Sequence, residues 1–379
     1  MNSDDPTRTG VDRVAVPVAP PVPGVVVVFS HAPVRNAVLA VTSRCVLGRS
    51  AAADLEIDES ELSRSHAELE PAEGGVLITD LGSHNGTFVN GTRIEQSHHL
   101  APVGSVVRAG RTLFCVVSDV RPFQDAPPPS DFPMLGGPWL VDLRSRIERV
   151  AKSDSTVIVQ GETGTGKNLV AAELHRASGR TGPLLVVHGS ELRPDRAPVE
   201  LFGHEEGAFP GAEHARAGLF RAAHGGTLVF DQVDELHPEV QVMLLHTVED
   251  GKVLPIGESE PVQVDVKVVA TTRYDLHDLV RQRRFDERLY FRLAGERITL
   301  PPVRDRREDI PALARHFLAD PALRFTTSAM EHLLTGSWPD NVWGIHRVVA
   351  RAAVRAQEAR RDQILREDVA EQAAVPWQS

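Results

Sequence analysis

Seven consecutive positions, Gly161-Glu162-Thr163-Gly164-Thr165-Gly166-Lys167, combine three glycines, two threonines and a terminal lysine. The apolar run Val157-Ile158-Val159-Gln160 before them reads as a strand. Asn168-Leu169-Val170-Ala171-Ala172-Glu173-Leu174 behind them reads as the first turns of a helix. That order suits a polyphosphate. Small residues let backbone N–H groups face phosphate oxygens, a helix N-terminus adds positive potential, and the lysine reaches the terminal phosphates. Further along, Asp231 closes the apolar run Thr227–Asp231, as expected of a carboxylate that holds magnesium beside such a loop. ATP and Mg are the ligands that this chemistry implies.

The elements that must position these residues divide the chain. At 379 residues, two or three domains are expected. An apolar content of 41% and a charged content of 25% are those of a globular protein with ample core. No apolar run is long enough to span a membrane, and the N-terminus has no basic-then-apolar leader pattern. Cys45 and Cys115 each fall in an apolar strand-like run. Two buried free thiols fit a reducing, cytoplasmic setting better than a disulfide does. The net charge of −11 argues against a dedicated nucleic-acid binder.

Residues 1–23 read as a flexible tail, polar and then Pro/Val-rich. Residues 24–118 hold short apolar runs at Val25–Ser30, Ala37–Thr42, Arg44–Leu47, Gly75–Thr79, Thr87–Val89 and Leu113–Val117. Asn85-Gly86 and Asn90-Gly91 supply strong turn signals. An all-β sandwich is expected. Residues 119–137 are a linker: Pro122–Pro138 carries six of the 27 prolines, which predicts a semi-rigid, exposed segment. The texture then alternates. Helix Trp139–Ala151 is followed by the loop's strand and by strands at Leu184–His188, Thr227–Asp231, Val264–Thr271 and Glu296–Leu300. That predicts a doubly wound, mainly parallel sheet over residues 138–303. Residues 304–373 are helical only, at Asp309–Leu318, Thr327–Leu334, Asn341–Glu358 and Leu365–Glu371, and form a small lid; 374–379 are a tail.

In the β region, Gly48-Arg49-Ser50, Ser63-Arg64-Ser65-His66, Asp80-Leu81-Gly82-Ser83-His84-Asn85-Gly86-Thr87 and Asn90-Gly91 resemble the forkhead-associated (FHA) domain. The resemblance implies a phosphothreonine-containing protein or peptide as ligand. Arginine gives charge-assisted bonds to the phosphate and small polar side chains complete its shell. By resemblance, Arg49 and Ser63 hold the phosphate, Asn85 holds the peptide backbone, Arg64 and Ser83 belong to the same surface, and His66 is a scaffold residue. The chief departure is His84, where a small hydroxyl residue is common. A fold-only FHA domain without a ligand is the competing reading.

Four blocks in the second half resemble the AAA+ domain of sigma-54-dependent transcription activators. They are Gly161–Lys167, Leu201-Phe202-Gly203-His204-Glu205-Glu206-Gly207-Ala208-Phe209-Pro210-Gly211-Ala212, Gly225-Gly226-Thr227-Leu228-Val229-Phe230-Asp231 and Trp338-Pro339-Asp340-Asn341-Val342. Without the resemblance, the residues support a P-loop NTPase with a helical lid. With it, the implied assembly is a ring, homo- or hetero-oligomeric, that hydrolyses ATP between subunits. The implied partner is sigma-54 RNA polymerase, touched through Gly207, Ala208, Phe209, Pro210, Gly211 and Ala212.

Several positions depart from that family's pattern. Asn168 follows the lysine where an acidic residue is usual. Gln232 stands where a glutamate polarises the attacking water, and glutamine cannot take a proton. General-base contributions are roughly 10²–10⁴-fold. His188 stands for an asparagine that restrains the glutamate, and Arg273 for a nucleotide-sensing asparagine. Arg292 aligns with one of two arginine fingers, Asp286 replaces the other, and Arg288 lies close enough to substitute. An arginine finger is worth roughly 10³–10⁵ in rate. Trp343 replaces a lid arginine, and Pro210 replaces the threonine of the contact loop, which removes an N–H and fixes φ.

Eight residues follow the last expected helix, too few for the helix-turn-helix with which relatives often end, so no direct DNA-binding domain is expected. Arg347, Arg351 and Arg355 recur at helical spacing; a solvated face or subunit contact is favoured over DNA phosphates. The expected function is an ATP-binding transcription regulator of the sigma-54 activator type, controlled through the FHA domain, with weak or lost hydrolysis. The alternatives are a non-hydrolysing adaptor or inhibitor of partner rings or the sigma factor, and a phosphopeptide scaffold with a structural AAA+ region.

Overall fold

The computed structural model describes residues 20–34, 37–95, 97–124 and 134–370. Most of the expected tail 1–23, the proline-richest part of the linker, and Trp377-Gln378-Ser379 lie outside them.

Eleven short strands build the first unit. They are β1 (Gly24–Phe29), β2 (Val38–Ala40), β3 (Cys45–Gly48), β4 (Leu55–Glu56), β5 (Ala67–Ala72), β6 (Gly75–Asp80), β7 (Thr87–Val89), β8 (Thr92–Arg93), β9 (His99–Pro102), β10 (Val106–Ala109) and β11 (Thr112–Val117). Two sheets, ordered β2-β1-β11-β10-β7-β8 and β4-β3-β5-β6-β9, enclose a core that includes Leu47, Ile57, Leu69, Ile78 and Phe114. β4, β5, β8, β9 and β10 carry charged residues or proline and escape an apolar-run search.

All six residues of β11 are buried, for a reason internal to the strand's period of two. Phe114 and Val116 point into the sandwich core, whereas Leu113 and Cys115 face outward and join a cluster with Val303, Ile310, Leu333 and Leu334. The helical lid therefore covers the outer face of the sandwich at β10 and β11. Both cysteines are free and buried.

The second unit is a five-stranded parallel sheet with helices α1 (Trp139–Ala151), α2 (Lys167–Ser178), α3 (Pro238–Asp250) and α4 (Glu287–Leu293) among its connections. Its strands are β12 (Val157–Gln160), β13 (Leu184–His188), β14 (Thr227–Asp231), β15 (Lys267–Thr272) and β16 (Glu296–Thr299), in the order β13-β14-β15-β12-β16. Separate apolar clusters pack on its two faces, one around Leu228, Phe230 and Leu244 and one around Ile147, Val159 and Leu174. Helices α5 (Ile310–Phe317), α6 (Thr327–Thr335), α7 (Asn341–Glu358) and α8 (Arg366–Ala370) form the lid. A short parallel pair, Arg324–Phe325 with Gln363–Ile364, ties α6 to the chain before α8.

The expectation of an exposed linker fails at both of its described ends. Val120 is fully buried and packs with Phe123 against Val26 and Val117. Met134 is buried against the phosphate loop, its Cε 2.9 Å from where a Cβ on Gly166 would stand. The tail reading also fails at residues 20–23, because Val22 and Pro23 bond through their carbonyls to Val120 N and Val41 N. Apolar residues among the prolines explain both corrections: burying them outweighs the local preference for an extended, solvated chain. No helix among the described residues is long and apolar enough to cross a membrane.

Candidate functional site

A cavity of about 670 Å³ opens between the α/β unit and the lid. Its floor is the loop from β12 to α2. Gly164 and Gly166 both take positive φ, 76° and 108°, as a backbone that turns its N–H groups inward requires. A Cβ on Gly164 would stand 2.2 Å from the Asp340 carbonyl. Thr165 is buried and donates to Glu162 O at 2.8 Å. Lys167 Nζ donates to Gly161 O and Glu162 O at 2.9 and 3.1 Å. Burial lowers its pKa, and Asp231 and Asp234 oppose that fall.

Thr163, Gly164, Thr165, Gly166, Lys167 and Asn168 all line the cavity. Gly161 and Glu162 do not. The Glu162 carboxylate turns to the lid, where Arg304 donates to both of its oxygens at 2.8 and 2.7 Å and Asn341 adds a bond at 3.1 Å. Asn341 Nδ2 also donates to Thr163 O, and Val342 N to Gly164 O. The lid's long helix thus begins on the phosphate loop itself.

Opposite the loop stand Asp231, Gln232 and His188. Asp231 Oδ1 accepts from Thr271 Oγ1 at 2.5 Å, and Asn168 Nδ2 lies 3.4 Å from its other oxygen. Gln232 has left-handed backbone angles, φ 54° and ψ 59°. His188 bonds Ser190 and lies 3.9 Å from Glu235. Arg273 is turned away from the cavity and spent on Glu235 at 2.7 Å.

Apart from Trp343, the sequence assigns no site role to the cavity's remaining wall. Met134, Leu135, Leu169, Leu313, His316, Phe317 and Val342 supply it, together with Trp343. These residues come from four separate stretches, and only the packing of the lid on the α/β unit brings them together. A glycine cradle, one lysine, one carboxylate and an apolar wall fit a nucleotide in chemistry and in size.

Asp286, Arg288 and Arg292 stand outside their own chain's cavity. Asp286 caps α4 by accepting from Arg288 N and Leu289 N, Arg288 lies 3.7 Å from it, and Arg292 pairs with Glu249. In the expected contact loop, Gly207 N donates to Ala212 O and Ala212 N to Phe209 O, which closes a tight turn. Phe209 packs on the His204 ring at 4.8 Å and Pro210 is exposed at the tip.

At one end of the sandwich, Arg49, Arg64, His84 and Asn85 are exposed and Ser63 is half-buried. Arg49 N donates to Ser63 O, and Ser63 Oγ accepts from His84 N at 3.2 Å. Asn85 Nδ2 donates to Glu61 O at 2.8 Å. His66 is fully buried, with Nδ1 accepting from Ser63 N and Nε2 near Gly86 O; burial lowers its pKa. Ser83 departs from expectation. Its hydroxyl donates to Asp80 Oδ2 at 2.6 Å, so it braces the loop from beneath.

Three family models match the chain: FHA domain at residues 45–110, Sigma-54 interaction domain at 137–299, and AAA+ ATPase lid domain at 304–375. The transcriptional regulatory protein ZraR of Klebsiella oxytoca is 42% identical over 60% of this chain and 53% of its own length. The transcriptional regulatory protein GlrR of Escherichia coli strain K12 is 32% identical over 78% of this chain and 69% of its own. Among solved structures, NtrX from Brucella abortus in complex with ADP aligns with a TM-score of 0.58 at 29% identity, covering 65% of this chain and 57% of that one. The chain spans about half the length of the first of these relatives. It belongs to the family of transcriptional regulators built on a sigma-54 interaction domain, here joined to an FHA domain.

Proposed function

We propose that this chain is an ATP-binding regulator of sigma-54-dependent transcription, governed by phosphothreonine recognition through its FHA domain, in which hydrolysis is weak or lost. The functional units are residues 24–118, 138–303 and 304–373. Lys167 and the N–H groups of Gly164–Lys167 hold the phosphates, and Asp231 holds Mg. When bound, the magnesium nucleotide would supply the negative charge that Lys167 meets at the loop.

The observation that carries the reading is Gln232 on the cavity wall beside Asp231. A carboxamide there orients water but accepts no proton, so a base worth roughly 10²–10⁴-fold is missing. Trp343 lines the lid side of the same cavity where a cation would stabilise the terminal phosphate. Of the lining residues, Lys167 and Arg306 carry fixed positive charge, and Arg306 is buried against Asp309 at 3.4 Å. The trans-acting surface carries Asp286 as a helix cap and Arg292 paired with Glu249.

Steady-state ATPase measurement on the full chain, beside Gln232→Glu, tests this. Turnover at least tenfold below that of Gln232→Glu, or absent in both, is expected; turnover at ordinary AAA+ rates in the unaltered protein sinks it. The exposed Phe209 and Pro210 favour a second reading, an adaptor or inhibitor that docks on partner rings or on sigma-54 RNA polymerase without driving it. Inhibition of a partner ring's ATPase by added protein distinguishes that role.

A further inference from the structure

The hairpin β10–β11 touches two sites at once. On its outer face, Val106, Leu113 and Cys115 are buried in one cluster with lid residues that include Ile310 and Leu333. At the rim, Arg108 Nε donates to Glu331 Oε2 at 2.9 Å, with 22% and 14% of the two side chains exposed. Thr327 Oγ1 donates to the Arg111 carbonyl at 3.1 Å. Thr327 and Glu331 are one turn apart on α6, so one helix face grips the hairpin.

The other side of the hairpin's turn is bonded to the loops at the phosphopeptide end. The buried Glu59 carboxylate accepts from Arg111 N and Thr112 Oγ1, both at 2.7 Å. Arg111 pairs with Glu61, whose carbonyl accepts from Asn85 Nδ2. Gly110, at φ 58°, lies close between them: a Cβ there would stand 3.1 Å from the Glu61 backbone. The chain of contacts continues through the lid. Asn341, fully buried at the start of α7, bonds Thr163 O and Glu162, and Val342 N bonds Gly164 O.

We infer that the β10–β11 hairpin makes phosphopeptide binding and nucleotide binding thermodynamically linked, with the lid as the element both ligands bias. This rests on the two binding readings proposed above. A phosphate of roughly −1.5 to −2 charge beside Arg49 and Ser63 acts on the neighbouring Glu61 carboxylate and Arg111 guanidinium. A peptide held by Asn85 acts on the Glu61 carbonyl. Both effects converge on residues 109–112, which α6 holds. A nucleotide acts on the same lid from the Thr163–Gly164 side. Linkage demands that each ligand change the other's affinity by one common factor.

The test uses the full chain, a fluorescent degenerate phosphothreonine peptide pool with its unphosphorylated counterpart, and ribose-labelled ADP. Peptide affinity is measured with and without ADP, and ADP affinity with and without peptide. Equal factors of about fivefold or more are expected. In Arg108→Ala/Thr327→Val the factor falls to near one while each ligand alone still binds, and in the charge-reversed pair Arg108→Glu/Glu331→Arg it returns. Binding of both ligands with a factor of one in the unaltered protein overturns the linkage and leaves the binding readings standing. Failure of the peptide pool or of ADP to bind overturns the corresponding reading and the linkage together. A factor that survives in Arg108→Ala/Thr327→Val assigns the coupling to another route and overturns the hairpin's role.

Discussion

Thr271 Oγ1 donates to Asp231 Oδ1 at 2.5 Å and accepts the backbone N–H of Gln232 at 3.0 Å. One hydroxyl from the neighbouring strand therefore fixes both residues of the pair that faces the nucleotide cavity. Its donor and acceptor roles are both used, and Thr271 is fully buried.

Thr271→Val keeps the side chain's volume and removes both bonds. The Gln232 N–H then loses its acceptor and Asp231 becomes free to rotate. A loss of about 1–3 kcal/mol of stability is expected, together with weaker magnesium-dependent ADP binding. Denaturant midpoints and ADP titrations with and without Mg check the two effects separately. Unchanged magnesium dependence would show that Asp231 needs no brace.

The Glu162–Arg304 pair predicts a pH effect. Arg304's hydrogen bonds, helped by Asn341 and opposed by burial, hold the Glu162 carboxyl below its usual range. A depressed carboxyl contributes stability that is present above its unfolded value and is lost as pH falls through the folded one. The pair is 40% and 44% exposed, so its worth is about 0–1 kcal/mol. Attachment of the lid to the phosphate loop should weaken below about pH 4.5. Glu162→Gln should remove that dependence, as read by hydrogen exchange at the Val342 amide.

Glu308 predicts the opposite sign. Burial, reinforced by Asp309, pushes its carboxyl up to about 7. A raised acid contributes stability fully below its unfolded value and loses it as pH rises through the folded one. Its contribution should therefore decline between about pH 4.5 and 7. Glu308→Gln should raise stability above pH 7 by on the order of 1 kcal/mol and flatten that interval. Thermal midpoints of both proteins from pH 5 to 8 measure this, and parallel curves would refute it.

Arg49→Ala should abolish phosphothreonine-peptide binding, because Arg49 is exposed and its backbone N–H, bonded to Ser63 O, sets it at that end of the sandwich, where a guanidinium gives charge-assisted bonds to phosphate. Ser83→Ala should instead cost stability and leave affinity within about threefold, since its hydroxyl is bound to Asp80. Fluorescence anisotropy with the phosphorylated and unphosphorylated pools reads both. Retained affinity in Arg49→Ala would move the phosphate elsewhere.

How far these sites could be read in advance depended on how local their signals are. Trp139–Ala151 and Asn341–Glu358 are found at the residues where an amphipathic period places them. The glycine loop is equally local. β10 is different: Arg108 breaks its apolar run, and the compensating partner, Glu331, lies 223 residues away. The apolar run Leu113–Val117 of β11 reads as one buried strand, yet its two faces serve a domain core and an interdomain seam. Met134, Leu313, His316 and Phe317 carry no motif and meet only through the packing of the lid on the α/β unit. Glu162 sits inside a recognised motif, but its side chain serves Arg304 and Asn341 rather than the cavity.

Of the tryptophans in the described residues, Trp139 donates to Asp309 Oδ2 and Trp338 donates to Leu333 O. Trp343 is 75% exposed at the mouth of the cavity. An indole in water emits at longer wavelength than one covered by protein or ligand. The tryptophan that stands where the family resemblance implies a lid arginine therefore equips the molecule with an optical gauge. A ligand seated in the cavity against Trp343 should move that emission to shorter wavelength, without any added label.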